Sequence, residues 1–336
     1  MHQNVITKKK MRGVSPCLCA VGATNFVALV FFATPRNVTL DDLMLINRNS
    51  SSIAERIVRE AYNVTYRHID PCPPNVPMKS CLQTALTRIR DSTTVPWWFM
   101  SMLRDATTSG SGLWGGWHVL KTDDLEFCAI EKVGSTMMRN LVCRLNNQTF
   151  RGQPCQSKRK NPHRKKIVFL RDPLERFLSG FLNWCVDDPS SGHCMPKSVF
   201  TDKKLRKALS TRALFESFVD SPLQWNLHFF PLGFYCDGLY RSLHTYDFVG
   251  FMGNDTEHQL LMLGERYGSG VKKAMEDGTE MSYSLHFTSS HNHITEYYTA
   301  ATVRKILSYH SLDYVRLNLP VPQWAVDMLN GEEKER

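Results

Sequence analysis

Leu125-Glu126-Phe127-Cys128-Ala129-Ile130, followed by Glu131-Lys132-Val133-Gly134-Ser135-Thr136, is the stretch that decides the fold. An apolar strand runs into a turn of one base, one glycine and two hydroxylic residues. A helix is expected from there to about Asn146, with Met137, Met138, Leu141, Val142 and Leu145 on its buried face. The design returns in Lys166-Ile167-Val168-Phe169-Leu170, then Arg171-Asp172-Pro173, then a helix from Leu174 to about Trp184. Such units hold phosphate: the helix N-terminus offers unpaired N–H groups and partial positive charge, and Gly134 lets the backbone come close. Lys132 and Arg171 add full charges at the two strand ends. The pair reads as two halves of one nucleotide site, although the first turn lacks the Gly-x-x-x-x-Gly-Lys-Ser/Thr spacing of an ordinary P-loop.

The chain has 336 residues, 42% hydrophobic and 22% charged, enough for one large α/β domain. Its formal net charge of +9 points to an anionic partner. Ten cysteines without a Cys-x-x-Cys pair or matching histidine spacing argue against zinc and for an oxidising compartment. The N-terminus agrees. Lys8-Lys9-Lys10-Met11-Arg12 precedes an uncharged stretch, 13–35, whose roughly 20 residues would span about 30 Å as a helix. Basic residues before it and Asp41-Asp42 after it put the N-terminus in the cytosol. Phe31 suits a cleavage site poorly, so an uncleaved anchor is expected rather than a signal peptide. Sequons at Asn37, Asn49, Asn63, Asn147 and Asn254 would then face the lumen.

Residues 36–70 read as a polar stem ending in a helical pattern of Ile53, Ile57, Val58 and Ala61. Cys72 with Cys81, Cys143 with Cys155, and Cys185 with Cys194 are candidates for pairing. Trp97, Trp98, Trp114 and Trp117 suit either interior packing or a sugar-stacking surface, and packing is preferred. His118 receives no role. Arg151 to Lys165 contains no acidic residue, and its basic run 158–166, taken as lying beside the nucleotide site, suits an anionic polysaccharide; lumenal placement argues against nucleic acid. A helix is expected over 203–219, with Leu205, Leu209, Leu214, Phe215 and Phe218 on its apolar side.

Glu-Lys-Val-Gly-Ser-Thr resembles the sulfate-donor loop of Golgi carbohydrate sulfotransferases. Arg171-Asp-Pro-Leu-Glu-Arg-Phe-Leu-Ser179 resembles the segment with which that family grips the donor's 3′-phosphate. In the right order follow His228-Phe229-Phe230-Pro231-Leu232-Gly233-Phe234-Tyr235-Cys236, Tyr246-Asp247-Phe248-Val249-Gly250, Thr288-Ser289-Ser290 and a helix over 300–310. The resemblance covers about residues 125–320 and is nearest to the chondroitin 4-O-sulfotransferase and HNK-1 sulfotransferase branch, its divergent invertebrate members included. Glu131 stands where the family usually has Pro, Met138 where it often has Trp, and Leu232 where it has Gln.

The resemblance implies an α/β fold: a single lumenal P-loop-like domain with a mostly parallel central sheet flanked by helices, preceded by one transmembrane helix. The divisions expected are a cytosolic tail (1–12), anchor (13–35), stem and N-terminal helical region (36–90), catalytic domain (91–325) and polar tail (326–336). It further implies sulfuryl transfer from 3′-phosphoadenosine 5′-phosphosulfate (PAPS) to a glycan hydroxyl in the Golgi, without metal. Lys132 would neutralise the leaving phosphate, with Val133, Gly134, Ser135 and Thr136 holding it. Arg171 and Ser179 would bind the 3′-phosphate, with Ser289 and Ser290 nearby. His228 is the candidate base and Glu131 the second. His286, His291 and His293 are candidates for substrate contact. A homodimer is left open. Two other readings stand beside this one: a catalytically inactive glycan-binding protein on the same fold, and a lumenal kinase using Asp172 for Mg²⁺.

Overall fold

The computed structural model describes residues 52–69, 72–73, 75–90, 92–108, 118–149, 155–187, 194, 204, 208–221, 227–253, 255–268, 270–274 and 290–335. The expected cytosolic tail and anchor, Asn37, Asn49, Asn254, Trp114, Trp117, Leu205, His286 and Ser289 lie outside them. Among the described residues no helix is long and apolar enough to cross a membrane.

Four strands form one sheet in the order β1 (Val119–Lys121), β2 (Leu125–Cys128), β3 (Lys165–Arg171) and β4 (Phe248–Met252). β1 is antiparallel to β2, whereas β2, β3 and β4 run parallel, with Leu125 opposite Lys165 and Arg171 opposite Met252. Ile167 to Leu170 are all buried, as an inner parallel strand covered on both faces requires. Around the sheet lie α1 (Ile53–Val64), α2 (Met78–Ile89), α3 (Trp97–Thr108), α4 (Ser135–Leu145), α5 (Pro173–Phe181) and α6 (Thr211–Asp220). They are followed by α7 (Tyr235–Ser242), α8 (Thr256–Tyr267), α9 (Ile294–Tyr297), α10 (Ala300–Tyr309), α11 (Ser311–Arg316) and α12 (Gln323–Glu335). The mixed α/β fold with a mostly parallel sheet is the one expected.

Local chemistry sets the helix ends. Asp172 caps α5 by accepting from Glu175 N at 2.9 Å, and Pro173 follows at the first helical position. α5 continues into a π-helical turn, Leu182–Asp187, a form that often marks a functional site.

Several elements differ from expectation. α1 buries Ala54, Val58 and Tyr62 and packs on α10, α11 and α12, so residues 53–89 share one core with the domain they were expected to precede. The expected polar tail instead supplies most of α12, which buries Ala325 and Leu329. Within the helix expected over 203–219, Lys204 and Ala208 are helical, and α6 starts afresh at Thr211, where the Ser210 hydroxyl accepts from Ala213 N and caps it; Leu209 is exposed. Trp98 packs against Phe99 and Tyr309, while Trp97 is exposed.

The basic run is the largest departure. It leads into the first residue of β3, whereas the phosphate-type turns follow the last residues of β2 and β3. Seven strand residues put about 20 Å between the two ends. The run therefore does not lie beside the candidate nucleotide site. In parallel α/β folds, a segment that precedes a strand belongs to the opposite edge from the turn that follows it.

Four disulfides join Cys72–Cys81, Cys143–Cys155, Cys185–Cys194 and Cys128–Cys236. The first three are the pairs anticipated from the sequence. The fourth, across 108 residues, was not, and it fastens the end of β2 to the segment that carries His228.

Candidate active site

The turn after β2 enters α4 through Lys132 and Gly134, both left-handed, with φ of +63° and +67°. Glycine suits position 134 for its left-handed conformation; a Cβ there would meet only flexible side-chain ends, the nearest being the end methyl of Met252 at 2.9 Å. No side chain caps α4, which leaves its first turn to a ligand. Val133 is buried and Thr136 exposed. Ser135 is buried and donates its hydroxyl to Glu131 Oε2 at 2.8 Å, so the hydroxyl hydrogen assigned to the donor is committed to Glu131.

Arg171, at the end of β3, joins the two turns. Its Nη1 donates to Lys132 O at 3.1 Å and its Nη2 to Ser290 Oγ at 2.7 Å. Ser290 is fully buried and opens a turn, Ser290–His293, that packs against α5, on which Ser179 is also buried. The structure thus brings Lys132, Arg171 and Ser290 together.

His228 reaches the first turn from the other side. Its Nδ1 lies 4.0 Å from Glu131 Oε2, and its ring lies 4.8 Å from that of Trp184. Lys132 Nζ sits 5.6 Å from the same indole and donates to Asn183 Oδ1. Lys132 and His228 therefore flank one tryptophan carried by the π-helical turn. Tight packing holds the loop there: a Cβ on Gly180 would be 2.8 Å from the Phe229 ring, which also meets Phe177 and Phe218.

Burial pulls the Lys132 amino group down to about 8; Glu131 opposes this while Arg176 and Arg171 add to it, and the group remains mainly cationic at neutral pH. For Glu131 burial acts upward, yet Arg139 and then His228 outweigh it and hold the carboxyl at about 2. A carboxylate that weakly basic is no match for a hydroxyl proton, so Glu131 does not fit the part of second candidate base. Burial raises Asp172 to about 7; this residue caps α5 and accepts from Tyr314 OH at 3.0 Å. It is a structural acid, which removes the only acid the kinase reading had put forward for Mg²⁺. Among the described residues no group of His, Cys, Asp or Glu is arranged to hold a metal ion. His293 is half-buried and pairs with Glu296 at 3.0 Å.

Sequence reasoning missed Asn183, Trp184, Arg139 and Arg176. Arg176 is fully buried. It donates to Glu131 O at 2.8 Å, Phe230 O at 2.7 Å, Leu227 O at 3.3 Å and Tyr235 OH at 3.0 Å. It ties the donor-type turn to the His228 loop. Leu232, flagged as a departure at a sugar-holding position, has its side chain in the core; its N–H and that of Gly233 each donate to buried Asp313 at 2.8 Å. His118 is buried with Nδ1 2.8 Å from Ala129 O, a packing role consistent with having been assigned no other.

Comparison with known proteins agrees with this geometry. No curated protein and no solved structure matches the chain. The model of the sulfotransferase family matches residues 117–320, from just before β1 to just before α12, and takes in every element that builds the site. The chain belongs to the sulfotransferase family.

Proposed function

We propose that this protein is a PAPS-dependent carbohydrate O-sulfotransferase, anchored as a single-pass type II protein in the Golgi membrane with its domain in the lumen. The observation that carries the reading is the meeting of Lys132, Arg171 and Ser290 at an uncapped helix N-terminus, with His228 facing the same turn. Four disulfides support an oxidising compartment. The cationic segment before residues 13–35 supports the orientation.

The donor supplies a sulfuryl group already activated on a phosphate. His228 takes the proton of the acceptor hydroxyl as its oxygen bonds to sulfur, and the sulfur–oxygen bond to the phosphate breaks. Lys132, with the first N–H groups of α4, neutralises the charge left on that phosphate. Arg171, with Ser179, Ser289 and Ser290, holds the 3′-phosphate, for which a guanidinium fork is well shaped. Glu131 acts on His228: an ionised carboxylate 4.0 Å from Nδ1 favours the imidazolium that forms in the step. Glu131 is thus a positioning residue, present where the resembling family usually has Pro.

The test is a thermal-shift titration of the protein with PAP (the donor without its sulfuryl group), ADP, and ATP with Mg²⁺. PAP at about 100 times its dissociation constant should add roughly 2.7 kcal/mol, and Arg171→Ala should abolish the effect. Stabilisation by ATP with Mg²⁺ alone would favour a kinase. No shift with any of them would leave a glycan-binding protein without donor chemistry.

A further inference from the structure

We propose that the loop 157–165 is a second, non-catalytic docking site for an anionic polysaccharide, at the sheet edge opposite the reacting groups. The inference rests on the glycan reading above only for the class of ligand.

This loop is braced far more than a solvated charge run needs to be. Arg164 turns inward, donating through Nε to Thr122 O at 2.6 Å and through Nη1 to Asn161 O at 3.0 Å, and also to Arg159 O. Asn161 donates to Asp123 O at 2.9 Å and accepts from His163 N at 2.9 Å. Gln156 exchanges bonds with the backbone of β1, accepting from Lys121 N at 3.0 Å and donating to Val119 O at 2.8 Å. The Cys143–Cys155 disulfide ties its base to α4. The arrangement fixes the backbone and leaves Lys158, Lys160 and His163 exposed. Neither Lys158 nor Lys160 has a carboxylate partner among the described residues, although Arg159 is 3.7 Å from Asp123 and Lys165 is 2.9 Å from Asp247.

Beside the loop opens a groove of about 770 Å³, lined in part by Lys158, Arg159 and Lys165 and by the amides of Asn146, Asn147 and Gln148. Asp123 and Asp124 also face it. Asp123 takes Ser157 and Arg159, and Asp124 lies 3.4 Å from the Asn161 amide. A lining of cations and amides suits the sulfates, carboxylates and hydroxyls of a charged sugar chain. A held loop meets such a chain without an ordering cost. Because about 20 Å of strand separates the groove from the donor turn, a sugar in the groove is not the one that reacts. The site therefore acts on polymers, by holding one segment of a chain while another is presented to the reacting groups.

Binding of the full chain, in detergent micelles, to heparin as the probe polyanion decides the matter. It is measured across a salt series for the wild type, for the Lys158→Ser/Lys160→Ser variant, and for an Arg59→Ser/Lys79→Ser variant that removes the same charge elsewhere on the surface. The loop variant should lower the slope of log Kd against log salt by about one to two units, by the counterion-release rule for polyanions. The control should not change it, and both should keep the wild-type melting temperature. Equal binding by the loop variant and the wild type overturns the inference, and so does an equal loss in the control, which would trace binding to net charge. If the loop variant alone loses heparin while PAP stabilises no form of the protein, the docking site stands and the sulfotransferase reading falls.

Discussion

Replacing Arg176 with Met should destabilise the protein and loosen its candidate active site together. Arg176 is fully buried on α5, and its fork reaches the carbonyls of Glu131, Phe230 and Leu227 and the hydroxyl of Tyr235. Methionine fills similar volume, so cavity formation is minor. The cost comes from acceptors left behind. Leu227 O keeps the Tyr235 hydroxyl as a donor, but Glu131 O and Phe230 O lose bonds of 2.8 and 2.7 Å. A buried acceptor that loses its donor costs about 1–3 kcal/mol. Two come to about 4 kcal/mol, and relief of the buried guanidinium's desolvation returns part of it, for a net loss of about 3 kcal/mol. For a domain of this size that is a fall of about 6–12 °C in melting temperature. Arg176→Lys keeps the charge but cannot span four acceptors, and should fall between. Differential scanning calorimetry measures both. Melting within 2 °C of the wild type for Arg176→Met, an allowance of about 1 kcal/mol, would refute the claim that this residue clamps the His228 loop to the donor turn.

Further outcomes follow from the same contacts. Glu131 is depressed from 4.5 to about 2, so its stabilising charge is fully present above the unfolded value and is lost as pH falls through the folded one. Glu131→Gln should therefore lose less stability than the wild type between those two pH values, and should shift the acidic limb of the pH–rate profile, read by acid denaturation and by kcat/KM. Asp172 has the opposite sign: raised from 3.8 to about 7, it costs the fold stability as pH rises across that interval. Asp172→Asn, which can still cap α5, should flatten that dependence and retain transfer; complete loss of activity with an intact fold would show that the acid has a catalytic part. Replacing Cys128 and Cys236 together with Ala releases a constraint across 108 residues and should cost about 4–5 kcal/mol, measured by urea unfolding. Unchanged stability would mean the tie does not hold the two segments.

The sequence by itself determined the local units: strand, polar turn and helix, twice, with the helix starts, three short-range disulfides and the cationic and hydroxylic residues of the donor-type turn. These are legible because period, capping and glycine act over a few residues. Even the position of the basic loop was implicit in chain order, since it precedes β3 rather than following it. Tertiary structure alone decided what Glu131, Arg176 and Trp184 do. Glu131 reads like a base until Arg139 and His228 are seen against it, and Arg176 reads like a surface charge until α5 proves buried on nearly all sides. Each of those roles depends on partners 45 or more residues away for Arg176, and on a π-helical turn that swings Trp184 between Lys132 and His228. Charge and burial are properties of surroundings, and surroundings exist only once the chain has folded.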